Sequence, residues 1–171
     1  TCADFVHALA EEAYCAGAHD VAVNWSDEEF SHIRFRQAPA ARFREFPAWR
    51  KTFYDESAAQ GAAFISIAAE NPDLFSDVDP KRLTEAGQTA GKALQGYRAR
   101  LMSNQNTWCV VSVPTPAWAC KVFPHETEET AVARLWTEIL RAVRVSEESD
   151  PVAAWKEHVS VLQKTADFLN A

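Results

Sequence analysis

Apolar positions recur along the chain with two periods. Phe5, Leu9, Ala13 and Ala16 fall on one face of a helix whose other side carries Glu11 and Glu12, and Gly17 supplies a left-handed stop. Val21, Val23 and Trp25 then alternate with Ala22 and Asn24, the two-residue period of a short strand. Ser26 with Glu29 three positions on forms a capping box that predicts the next helix start. Trp49, Phe53 and Tyr54 share one side of a helix ending near Gly61, and 63–68 reads as a second strand.

Asp79 followed by Pro80 is a helix start with two causes. The carboxylate caps orphan N–H groups, and proline lacks the N–H that would be orphaned. Leu83, Gly87, Ala90, Leu94, Tyr97 and Leu101 continue that pattern and predict one helix to about Asn104. Residues 107–113 are apolar on both faces, as in a central strand. Thr115 and Pro116 restart helix, and Val132, Leu135, Trp136, Ile139, Leu140 and Val143 mark a longer one. Residues 146–149 are a polar connector, after which Asp150 and Pro151 open a final helix. Its Val152, Trp155, Val159, Leu162, Ala166 and Leu169 form one seam.

Three strands alternating with helices predict an α/β fold: a small, mostly parallel sheet with helices on both faces, joined by right-handed crossovers. The first helix begins without a visible cap, and a strand ahead of it would complete the first crossover. The sheet is therefore expected to be incomplete at its N-terminal edge. A chain opening at Thr1 rather than Met is expected to be a piece of something longer.

Composition narrows the function classes. At 171 residues, 24% charged and 47% hydrophobic, the chain is long enough for one folded domain. A net charge of −7 argues against a nucleic-acid surface, which needs clustered Lys and Arg. No apolar run reaches the roughly eighteen residues of a membrane span. The four cysteines form no CxxC pair. Cys15 on a helical pattern and Cys109 in a strand pattern read as small buried apolar residues, and free thiols fit a reducing cytoplasm.

Candidate chemistry is sparse. No two of His7, His19, His32, His125 and His158 stand three to five positions apart, and HExxH is absent, so surface histidine is the expectation. There is no GxSxG elbow, and no glycine loop follows a strand to cradle phosphate. In an open parallel sheet the usable crevice lies beyond the strand C-termini. Those ends carry Ser26, Asp27, Ala69, Glu70, Pro114, Thr115 and Trp118. Each also has a structural explanation: Ser26 and Thr115 as caps, Asp27 and Glu70 as solvated carboxylates, Trp118 as core. The residues alone allow a free-standing, flavodoxin-like binding or regulatory domain with its own crevice ligand.

The order of longer phrases is more specific. Trp25-Ser26-Asp27-Glu28, Asn71-Pro72-Asp73-Leu74 and Val78-Asp79-Pro80 come first, then Val113-Pro114-Thr115-Pro116-Ala117-Trp118-Ala119 with its flanking strand, and Val122-Phe123-Pro124. Asp150-Pro151-Val152-Ala153-Ala154-Trp155 and Asp167-Phe168-Leu169-Asn170 close the series. Along nearly its whole length the chain resembles the N-terminal domain of the thermophilic-metalloprotease family, metallo-aminopeptidases of the aminopeptidase T, AmpS and PepS type.

The resemblance implies a cytoplasmic, homodimeric exopeptidase that removes N-terminal residues from peptides with two divalent metal ions of the zinc or cobalt type. It places the metal ligands and the catalytic tyrosine in a second, C-terminal domain whose phrases occur nowhere in these residues. It also implies an apolar strand ahead of the first helix. No catalytic or metal-ligating residue is therefore expected in 1–171, and binding residues stay unassigned. Within this N-terminal α/β domain, 1–146 is expected to form the sheet-and-helix body and 150–171 the final helix leading toward the metal domain. The expected partners are peptides, the chain's own C-terminal domain and a second copy, with neither nucleic acid nor membrane.

Overall fold

The computed structural model describes residues 2–170 and divides into two compact units, the first running to Thr115 and the second from Pro116. The first unit is α/β and helix-rich. Its elements are α1 (Cys2–Cys15), α2 (Glu28–Gln37), a 3₁₀ turn (Ala40–Arg44), α3 (Ala48–Ala59), β1 (Phe64–Ala68), α4 (Pro80–Ala93), α5 (Gln95–Met102) and β2 (Trp108–Ser112). β1 and β2 pair in parallel, Phe64 opposite Trp108 and Ala68 opposite Ser112. The α/β expectation holds, with two strands among the described residues where the sequence pattern predicts three.

The strand expected at 21–25 has no ladder there. Its alternation makes the chain extended, but a strand also needs a neighbouring backbone. The segment is instead tied by side chains. The Tyr14 hydroxyl accepts from the Val21 N–H at 3.2 Å, and Asn24 Nδ2 donates to the Tyr54 hydroxyl at 2.9 Å.

The helix start after it is one residue later than the capping box predicts. Asp27 rather than Ser26 is the cap, accepting from the Phe30 N–H at 2.7 Å. A carboxylate is the stronger acceptor for orphan donors at a helix N-terminus. Gly17 and Gly61 do close α1 and α3, at φ +95° and +82°.

The single helix expected over 80–104 is two helices. Leu94, at φ −99° and ψ 18°, ends α4 and leads into α5. Gly91 and Gly96 flank the break, where helix propensity is weakest, and Leu94 turns into the core with Leu101. Asp79 caps α4 through the Lys81 N–H, as the sequence predicts.

Two places organise this unit. Phe43, 1% exposed, is its largest fully buried side chain. Its ring stacks on Phe35 at 5.2 Å and 4°, and the guanidinium carbons of Arg34 and Arg82 lie 5.0 and 5.4 Å from its centroid. Arg82 Nη1 also donates to the carbonyls of Phe35 at 2.8 Å and Ala38 at 3.1 Å, closing the α2 C-terminus. The second place is Asn106, 3% exposed. Nδ2 donates to the carbonyls of Ala58 and Ala62, each at 3.0 Å, and Oδ1 accepts from Arg100 Nε at 2.9 Å. That amide joins the end of α3, the approach to β1 and α5 just ahead of β2.

Two expectations of burial fail. Cys15 and Cys109 are exposed, and all four cysteines are free thiols. Trp49, on the apolar helix side it shares with Phe53 and Tyr54, is 71% exposed. Periodicity assigns a residue to a face, and that face is buried only where another layer covers it. Ile65, Trp108 and Val110 are likewise exposed on the two strands.

The second unit contains α6 (Pro116–Val122), α7 (Glu128–Ala142) and α8 (Pro151–Leu169). Ala119, Ala131 and Leu135 form its core, with Trp118, Cys120, Phe123, Val132 and Ile139 packed around them. Glu126 pairs with Arg134, whose guanidinium carbon lies 4.3 Å from the Phe123 ring centroid. Asp150 caps α8 through the Val152 N–H at 2.9 Å, with Pro151 in the first turn. No residue of α8 is buried.

Candidate functional site

The strand C-termini are where a crevice is expected, and the first unit brings several of the named residues to that end of the sheet. β1 runs out through Ala69 to Glu70, and β2 through buried Pro114 to Thr115. The Thr115 hydroxyl donates to the Glu70 carbonyl at 3.4 Å, so the two strand exits meet. Glu28, in the first turn of α2, accepts the Asn71 N–H at 2.7 Å through Oε1. Asp27, Glu28, Glu70, Asn71 and Thr115 thus gather around one edge, with Ser26 exposed beside the cap. Trp118 belongs to the second unit and packs on its core.

The groups at this edge are occupied with folding. Asp27 caps α2, Glu28 holds a loop N–H, and Asn71 Oδ1 accepts from the Asp73 N–H at 3.0 Å. Glu70 is exposed. They could orient a polar ligand, but they provide no nucleophile beside a base.

The most connected histidine lies elsewhere. His32 Nε2 and Asp77 Oδ1 are 2.7 Å apart, Arg36 Nε is 3.6 Å from Asp77 Oδ2, and Phe75 presents its ring to His32 edge-on. The His32 side chain is 18% exposed. It is therefore better covered than the surface expectation allowed, while His7, His19 and His125 are exposed. The hydrogen bond from His32 holds the Asp77 carboxyl below its ordinary value. Desolvation opposes this, while the charges of His32 and Arg36 reinforce it.

An aromatic chain runs from Tyr54 to Tyr97 to Phe64 with centroids 5.0 Å apart at each step. Burial, with the neighbouring Tyr54, raises the Tyr97 hydroxyl above its ordinary value. Sequence reasoning missed both clusters, since their members lie 33 to 45 positions apart and no spacing rule joins them.

Metal chemistry finds no support among the described residues. No three His, Cys, Asp or Glu side chains converge on a point that could hold an ion. Arg50 Nε and Glu126 Oε2 are buried without a hydrogen-bond partner, yet neither belongs to such a group. The donor set does not fit a dimetal centre, which needs several carboxylates and imidazoles around one cavity. No described helix is long and apolar enough to cross a membrane.

Comparison with known proteins gives the family. A model of the family described as thermophilic metalloprotease (M29) matches residues 1–171. Aminopeptidase 2 of Geobacillus stearothermophilus is 46% identical over 168 residues, covering 98% of this chain and 40% of that protein. Aminopeptidase AmpS of Bacillus subtilis is 42% identical, again over 98% and 40%. The solved structure of wild-type AmpT from Thermus thermophilus superposes with a TM-score of 0.85 at 30% identity, covering 98% of this chain and 41% of that one. The chain spans about 40% of the length of the curated relatives it matches. With the family model matched from end to end and the AmpT fold shared, these 171 residues belong to the thermophilic metalloprotease family.

Proposed function

We infer that these residues are the N-terminal, non-catalytic domain of a dimetal aminopeptidase that removes N-terminal residues from peptides in the cytoplasm. One combination carries the reading. Relatives named as aminopeptidases are matched over 98% of this chain but only about 40% of their own length, and no described residues form a metal-ligating cluster. The two divalent ions, of the zinc or cobalt type, and the groups that hold them belong to the other part of the parent. The role proposed for this part is mechanical. Its strand-exit edge helps wall the substrate chamber, its exposed apolar surfaces pack on the metal domain, and it supports a homodimer. Trp49, Ile65 and Val110 are surfaces of the kind such packing would cover.

Leucyl-anilide hydrolysis tests the assignment, with the 171-residue chain and the full-length protein compared at equal concentration under added zinc or cobalt. The full-length protein is expected to turn over and the isolated chain to stay at background. Turnover by the isolated chain near the full-length rate would place catalysis here and overturn the reading.

A further inference from the structure

Positive charge is concentrated in one stretch of an acidic chain. Residues 34–51 hold six Arg and Lys against one Glu, a net +5, while the rest carries eleven against twenty-three, a net −12. The fold adds to that stretch rather than neutralising it. The 3₁₀ turn packs along α4, which brings Lys81, Arg82 and Lys92 with a single carboxylate, Glu85.

Two of these cations are engaged with neutral groups. Arg34 and Arg82 lie over the Phe43 ring, and Arg82 also serves backbone carbonyls. Arg42 and Arg44 do meet carboxylates, Glu45 at 2.7 Å and Glu85 at 3.0 Å, but their side chains are 62% and 69% exposed. Exposed pairs of this kind are weak and exchange readily for another carboxylate.

Between the turn and α4 runs a groove of about 670 Å³, with Arg44 and Phe46 on one side and Gln88, Thr89, Lys92 and Ala93 on the other. Glu85 stands at the Arg44 end, where its Oε1 accepts from both Nε and Nη2 of that arginine. Lys92 is exposed two turns further along α4, about 10 Å up the helix axis. We propose that this groove binds acidic peptides in an extended conformation, two carboxylates of one peptide engaging Arg44 and Lys92. The proposal names a substrate class for the function inferred above and rests on that reading for peptides as the ligand.

Each part of such a ligand has a counterpart. Glutamates at alternate positions of an extended chain stand about 7 Å apart on one face, a span that their own length and the lysine stem extend to both cations. A guanidinium takes a carboxylate through two parallel hydrogen bonds. Gln88 and Thr89 offer an amide and a hydroxyl to the peptide backbone, and Phe46 and Ala93 offer apolar surface to side-chain stems. A nucleic-acid strand fits less well. Its recognition adds a row of stacking aromatics to the cations, and Phe46 is the one ring lining this groove. The net −12 of the remaining chain also opposes a phosphate at every step more than two carboxylates.

Fluorescence anisotropy with the full-length protein tests this. The probe is a peptide with glutamate at two alternate positions, its N-terminus blocked by the dye so that it cannot be trimmed. Its glutamine counterpart is the comparison. The acidic peptide is expected to bind about tenfold tighter at about 50 mM salt, and to lose most of that advantage at about 500 mM. Arg44→Glu combined with Lys92→Glu should abolish the preference, and Lys92→Gln should reduce it about threefold. Lys156→Glu combined with Lys164→Glu, the same charge change placed on α8, should leave it intact.

Equal affinity for the two peptides, or an equal loss in the α8 variant, would overturn the proposal. So would tighter binding of a single-stranded oligonucleotide of the same charge. Leucyl-anilide hydrolysis by the metal-loaded wild-type protein separates the two readings. Acidic preference without turnover would count against the aminopeptidase assignment alone, and turnover without the preference against the groove alone.

Discussion

Asn106 donates its side-chain amide to the carbonyl of Ala58 at 3.0 Å, across 48 positions of sequence, and is the one buried polar residue among those described. The last turn of α3, whose Ala58 carbonyl also accepts the Gly61 N–H at 3.1 Å, is thereby tied to the segment ahead of β2 at the point where the chain leaves for β1. Arg100 Nη2 reaches the same carbonyl at 3.1 Å while its Nε donates to Asn106 Oδ1. Helix end, strand approach and crossover helix are locked by one amide and one guanidinium.

Removing that amide should be costly. Asn106→Ala strips the Ala62 carbonyl of this donor and leaves Arg100 Nε facing a void. The expected loss is about 3 kcal/mol, because buried polar groups left unmade carry their full desolvation penalty. Asn106→Asp keeps the acceptor for Arg100 but sets a carboxylate against two carbonyls, so it should also destabilise. Urea unfolding of the 171-residue chain measures both, and wild-type midpoints would refute the lock.

Phe43 should behave as a packing centre. With 1% of its surface exposed, stacked on Phe35 and approached by two guanidinium groups, it has no room to relax if truncated. Phe43→Ala is expected to cost about 3–5 kcal/mol, and Phe43→Leu distinctly less. The informative control is Trp49→Ala in α3, at 71% exposure, which should change the unfolding free energy of the isolated chain by no more than about 0.5 kcal/mol.

The His32 contact makes a prediction in acid. Asp77 is held below its ordinary value of 3.8, first by the hydrogen bond from His32. A carboxyl depressed on folding contributes stability that is fully present above its unfolded value. That contribution is lost as pH falls from near 4 through the lower folded value. Carbon-detected NMR titration should therefore find the Asp77 midpoint below 3.8, and His32→Ala should move it up. A midpoint unmoved by His32→Ala would show that the contact does not set it. Asp77→Asn should flatten the acid limb of the stability profile over the same window.

Local chemistry was legible in the chain itself. Asp79 with Pro80 and Asp150 with Pro151 open helices where expected, and Gly17 and Gly61 close them, because caps and left-handed stops act within a turn of backbone. The parallel strands at 64–68 and 108–112 were equally plain from their apolar runs. The Ser26 box failed by one residue because Asp27, a better acceptor, stood next to it. The 80–104 helix failed because periodicity does not register a turn that swings Leu94 into a core.

At the candidate edge, sequence named Asp27, Glu70 and Thr115 from the crevice rule. It could not show that Thr115 joins Glu70 or that Glu28 takes the Asn71 N–H, since those partners are 43 to 45 positions apart. Family resemblance and the sparseness of catalytic motifs were likewise readable from residue order alone. What needed the tertiary structure was which faces are covered. A period assigns Val159, Leu162 and Leu169 to one side of α8, and Ile65, Cys109 and Val110 to the strands. Only the positions of the other layers decide that these apolar groups stand open, because burial depends on neighbours brought from elsewhere in the chain or from another chain.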